Sequence, residues 1–139
     1  MSAGAVSEGL TAVTHKGNEA FFKMAAGRAH TIAPDALAKN PKPLKIETVD
    51  DELVLKDATR TVYLYHVVGS PHSDTMLMAY IPQEKILVEV DVFTPGAAAQ
   101  PYAANLLENV KKRNLNVERI VPLHGAIAPF SELVKAAGS

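Results

Sequence analysis

Met78-Ala79-Tyr80-Ile81-Pro82-Gln83-Glu84-Lys85-Ile86-Leu87-Val88-Glu89-Val90-Asp91 decides the fold. Two β-rich runs, 76–81 and 85–90, flank a polar Pro-Gln-Glu break, which is the pattern of a hairpin. Beyond Thr94-Pro95-Gly96 the hydrophobic period becomes helical. Ala103, Leu106, Leu107 and Val110 then share one stripe of a helix near 98–113. Lys111, Lys112 and Arg113 fall in its last turn, where cations favour the helix dipole. Residues 117–123 form a buried-type strand. Strand, helix and strand in this order make a β-α-β unit, whose strands run parallel after a right-handed crossover.

That topology places particular polar residues together. Asp91 and His124 each lie just past the C-terminal end of one of the two parallel strands, so they share the sheet edge at which open α/β sheets bind ligands. His72 precedes the antiparallel partner strand, and counting outward from the turn at Gln83 brings it to the same edge. Two imidazoles and a carboxylate suit zinc with water as fourth ligand, and equally suit iron or manganese. Ordinary surface residues at loop starts would show the same spacing.

The rest of the chain is compatible with one layered α/β domain, 1–139. A short β-branched run at 10–14 and Gly17-Asn18 lead into a helical segment at 19–26, where Phe21, Phe22 and Ala25 share a face. Residues 27–43, with Pro34, Pro41 and Pro43, read as a connector holding at most one helical turn around 34–38. Three β segments at 44–49, 53–56 and 61–68 suggest a meander. Phe130, Leu133, Val134 and Ala137 mark a closing helix with Pro129 near its start. The expectation is a mixed β-sheet with helices on one face.

Composition narrows the function classes. With 139 residues, 47% hydrophobic and 21% charged, the chain has the makings of an ordinary globular core. A formal net charge of -1 leaves no electrostatic footprint for nucleic acid or an anionic membrane, so the expected partner is a small molecule or another protein. The absence of cysteine excludes thiolate metal sites, disulfides and a Cys nucleophile. Residues 1–9 lack the basic and apolar regions of a signal peptide, and no apolar run reaches the length of a membrane span, so a cytoplasmic protein is expected.

Three local sequences, Gly69-Ser70-Pro71-His72-Ser73-Asp74, the 78–93 stretch ending Val90-Asp91-Val92-Phe93, and Val121-Pro122-Leu123-His124-Gly125, resemble successive motifs of the metallo-β-lactamase superfamily, in order. The resemblance runs from about Leu10 to near the C-terminus. It implies one half of an αββα sandwich, and metal-ligand roles for His72, Asp91 and His124, with Asp91 bridging two metals. The family's N-terminal His-x-His-x-Asp-His loop has no counterpart here, so the resemblance implies a truncated, C-terminal half. The implied activity is that of a zinc-dependent hydrolase acting on an ester, lactone, amide or β-lactam, its site completed in a homodimer. The alternative is a non-catalytic metal-binding or interaction module.

The remaining polar residues receive plainer readings. His15 reads as a solvated turn histidine, His30 receives no role, and His66 reads as a hydrogen-bonded structural residue. Asp74 is a candidate to orient an imidazole, with capping or solvation as the alternative. Met76, Met78, Tyr63 and Tyr65 read as packing, and the 111–113 cluster as a solvated helix end.

Overall fold

A computed structural model describes residues 3–28 and 31–138. The chain divides into two compact units, Met1–Asp50 and Asp51–Ser139. In the first, a short helix α1 (Ala3–Ser7) precedes strand β1 (Thr11–His15), a 3-10 turn at Lys16–Asn18 and helix α2 (Glu19–Ala26). Helix α3 (Ala36–Lys39) and strand β2 (Lys45–Val49) follow. Helix α1 was not expected from the small, polar sequence there. It ends where Gly9 adopts φ +80, a conformation open to glycine at little cost, and the Gly9 and Leu10 N–H groups take up the carbonyls of Val6 and Ala5.

Strands β1 and β2 pair in parallel, from Thr11↔Lys45 to His15↔Val49. This corrects the expected meander: the 44–49 segment belongs to a separate two-stranded sheet. A parallel partner cannot be read from a strand's own pattern, because pairing is decided by where the chain returns.

The second unit carries a six-stranded sheet in the order β3-β4-β5-β6-β7-β8. Its elements are β3 (Glu52–Lys56), β4 (Thr61–His66), β5 (Leu77–Ile81), β6 (Ile86–Glu89), helix α4 (Ala103–Lys112), β7 (Arg119–Pro122), β8 (Ala128–Pro129) and helix α5 (Phe130–Ala136). All neighbours are antiparallel except β6 and β7. The hairpin closes with Ile81 opposite Ile86, and β6-α4-β7 is the expected parallel crossover unit. The two-residue strand β8 is too short to leave a periodic signal.

Strand alternation sorts the side chains into two rows. Val54, Tyr63, Tyr80, Leu87, Ile120 and Ala128 lie opposite one another across all six strands. From Tyr80 inward this row is buried and joins Leu106, Leu107, Val110 and Leu133 of the two helices in one core. On the other face Leu53, Leu64, Ala79, Val88 and Val121 form a second apolar row across five strands. A sheet apolar on both faces has the composition of an inner layer rather than of a surface. Tyr63 and Tyr65 stack at 5.7 Å, and the Arg113 guanidinium lies 4.4 Å from the Tyr65 ring centre.

Arg113 departs from the solvated reading of its cluster. Its Nη2 donates to Asp51 Oδ1 at 2.6 Å and to the His66 carbonyl at 3.2 Å, while Lys111 and Lys112 are exposed. The turn after it explains why α4 stops there. Asn114 takes φ 51, the Leu115 N–H bonds to the Val110 carbonyl and the Asn114 N–H to the Lys111 carbonyl, which is the Schellman pattern.

Candidate functional site

Strands β6 and β7 leave the sheet side by side. Glu89 lies opposite Pro122, and the Leu123 N–H donates to the Glu89 carbonyl at 3.0 Å, so pairing extends one residue beyond the strands. The next residues on each chain are Asp91, two after Glu89, and His124. Asp91 turns out of the strand through the left-handed region, φ 61. Its Oδ1 and the His124 Nδ1 meet at 2.5 Å. Asp91 and His124 thus meet at the edge where the two parallel strands end.

Both side chains remain open to solvent, 42% for Asp91 and 69% for His124. An ionised carboxylate only accepts hydrogen bonds, so a neutral His124 carries its hydrogen on Nδ1 and keeps the lone pair on Nε2. The pair therefore presents an oriented, accessible imidazole.

Behind it lies Glu89, which carried no role in the sequence reading. Its side chain occupies an inward position of β6, two residues after the buried Leu87, and is itself only 1% exposed. Oε2 accepts the Val92 N–H at 3.0 Å and the Phe93 N–H at 3.2 Å. Oε1 has no hydrogen-bond partner among the described residues. Burial pushes the Glu89 carboxyl above the usual range, against the pull of those two N–H groups. The signal available in the sequence was a glutamate where strand alternation demands an apolar residue.

His72 lies in the loop between β4 and β5, which is closed at its base by the Val67 N–H donating to the Met76 carbonyl at 2.9 Å. Helix α4 grips the start of this loop. The buried Asn109 accepts the Val68 N–H at 2.9 Å and donates to the Val68 carbonyl at 3.0 Å, as a strand neighbour would. Asn105 donates to the Val68 and Gly69 carbonyls at 3.1 and 3.2 Å. Buried Ser70 then accepts the His72 N–H at 3.3 Å. The imidazole of His72 packs beside Tyr102, ring centres 5.3 Å apart.

The structure therefore joins Asp91 to His124 and sets His72 against the start of α4. Among the described residues, no three His, Cys, Asp or Glu side chains converge closely enough to hold a metal ion. The donor chemistry of His72, Asp91 and His124 suits zinc, but their arrangement in one chain does not fit it.

The lesser candidates divide. His66 is hydrogen-bonded as expected, its Nε2 2.9 Å from the Asp74 carbonyl. Asp74 thus meets an imidazole through its backbone, and the imidazole is that of His66. His15 contradicts the solvated reading: it is buried, and its Nδ1 accepts the Gly17 N–H at 3.2 Å, capping the 3-10 turn. A histidine at a strand end can close the following turn by itself, which composition does not reveal. His30 lies outside the described residues.

No protein-family model matches this chain, and no curated protein does. Solved structures do match. The DIM-1 metallo-β-lactamase superimposes with a TM-score of 0.65 at 15% identity, over 96% of this chain and 59% of its own. This chain has the metallo-β-lactamase fold. Rubredoxin oxygen:oxidoreductase from Desulfovibrio gigas matches with a TM-score of 0.65 at 18% identity, over 98% of this chain and 39% of its own. An archaeal metallo-β-lactamase superfamily protein from Sulfolobus tokodaii matches at 0.59 and 13%, over 97% of this chain and 61% of its own. The chain thus spans between 39% and 61% of the length of these structures. Among the described residues no helix is long and apolar enough to cross a membrane.

Proposed function

We propose that this chain contributes part of the site of a metal-dependent hydrolase, acting on a small-molecule ester, lactone, amide or β-lactam, with the site completed in a homodimer. The observation that carries the reading is the contact of Asp91 with His124 at 2.5 Å on the sheet edge beyond two parallel strands. Both are solvent-accessible donors of the kind zinc takes, and His72 is the third ligand proposed. The fold supports the reading, because it is shared with metallo-β-lactamases such as DIM-1.

Two observations support completion by a second copy. One chain brings together two of the proposed ligands where a catalytic zinc needs three or more. The sheet also carries an apolar row, Leu53, Leu64, Ala79, Val88 and Val121, on the face away from α4 and α5. In a two-fold dimer such a face would meet its own copy, since an isologous interface uses one patch twice. Apolar area removed from water there would contribute about 25 cal/mol per Å².

Metal content and solution mass measured on the same sample test this. Zinc that travels with the dimer, together with hydrolysis that falls with a chelator and returns with zinc, is the expected result. Wild-type metal content and turnover in Asp91→Asn would remove Asp91 from the ligand set. Stoichiometric metal without turnover on a panel of esters, lactones and β-lactams would favour a non-catalytic metal-binding module instead.

A further inference from the structure

We infer that Glu89 is a positioning residue, which holds Asp91 against His124 by fixing the backbone on both sides of the pair. Its carbonyl accepts the N–H of Leu123, the residue immediately before His124, at 3.0 Å. Its carboxylate accepts the N–H groups of Val92 and Phe93, the two residues immediately after Asp91, at 3.0 and 3.2 Å. One residue thereby ties the exit of β7 to the exit of β6.

The backbone at Asp91 gains from such a tie. A φ of 61 is uncommon outside glycine; aspartate tolerates it better than most residues, and neighbouring hydrogen bonds help to hold it. Val92 and Phe93 are each 3% exposed, so the two gripped peptides are also anchored in the core by their side chains. Val90 and Asp91 are left as a two-residue link between a fixed strand and a fixed turn, and the Asp91 carboxylate meets the imidazole.

The burial of Glu89 points the same way. A carboxylate with one oxygen lacking a partner is costly inside a protein, and an apolar residue at this inward position would pack as Leu87 does. What an apolar residue cannot do is accept two consecutive N–H groups. The function assigned to Glu89 is therefore hydrogen-bond reach, and its charge is incidental to it.

This inference concerns the same site as the proposed hydrolase, but its test needs neither metal nor substrate, so either can fail without the other. Long-range 1H–15N correlation spectra of the full chain, at a pH where the imidazole is neutral, report which nitrogen of His124 carries the hydrogen. Wild type is expected to show the Nδ1–H form, and Asp91→Ala supplies the spectrum of the unpaired ring. E89Q keeps an acceptor at the same reach, and its His124 spectrum should match wild type. E89D keeps the charge but is one methylene shorter, and should lose the Nδ1–H preference. A wild-type His124 spectrum in E89D overturns the inference. So does loss of the preference, or failure to fold, in E89Q. Should E89D not fold, E89Q decides by the same criterion.

Discussion

Replacing Asn109 by Ala removes the amide through which helix α4 holds the chain leading to His72. Three hydrogen bonds are lost, to the Val68 N–H, the Val68 carbonyl and the Asn105 carbonyl, at 2.9, 3.0 and 2.9 Å. At about 1 kcal/mol net for each, the loss is about 3 kcal/mol. Alanine regains roughly 0.5 kcal/mol of helix propensity. Val68 itself is 41% exposed, so water can partly replace the lost partners, while its carbonyl keeps the Asn105 amide. The net expectation is a destabilisation of about 2 kcal/mol, on the scale of single hydrogen-bond networks. Asn105→Ala removes bonds at the surface and should cost no more than about 0.5 kcal/mol. Urea unfolding followed by tyrosine fluorescence suits the test, because all four tyrosines lie in the unit Asp51–Ser139 and the chain has no tryptophan. An unchanged slope with a shifted midpoint would show that the native state has been weakened. Equal costs for the two substitutions, or an Asn109→Ala midpoint at the wild-type value, would refute the argument that the buried amide acts as a strand neighbour.

Other consequences are also measurable. Asn114→Gly relieves the φ 51 conformation at the end of α4 and should stabilise the second unit by about 0.5 kcal/mol, whereas Asn114→Ala should destabilise it by about 1 kcal/mol. For Glu89 the folded carboxyl is raised from 4.5, so the stability it contributes is complete below that pH and is lost as pH rises through the higher folded value. Unfolding curves should accordingly show E89Q gaining on wild type as pH increases from 4.5 upward; a constant difference would contradict the assignment. Asp51, held below 3.8 by Arg113, behaves with opposite sign: its contribution is present above the ordinary carboxylate range and disappears as pH falls through the lowered value. It should be small, since Asp51 is 69% exposed, and Arg113→Met, which removes the hydrogen bond and the charge, should reduce the pH dependence in that acid window. Zinc titrated by calorimetry into the chain at concentrations below its self-association should give weaker binding than at concentrations above it, and equal affinities would argue against a shared site.

The parallel unit β6-α4-β7 was legible because its signals are local: a hairpin break at Pro82-Gln83-Glu84, a 3.6-residue stripe and a β-branched strand. Once the crossover is right-handed and the strands parallel, Asp91 and His124 must emerge on one edge, and no tertiary detail is needed to predict it. Local pattern could not assign 44–49 to β1, turn His15 inward to cap Lys16–Asn18, or give Arg113 its partner Asp51. Each depends on a segment distant in sequence or on a side chain's direction. His72 shows the same division within the candidate site. Counting along the hairpin leads one to expect it on that edge, but where its imidazole sits depends on how Asn105, Asn109 and Ser70 hold the 67–76 loop. Of the three residues singled out in the sequence, Asp91 and His124 meet in three dimensions, and the buried Glu89 beneath them emerged only when strand alternation acquired an inside.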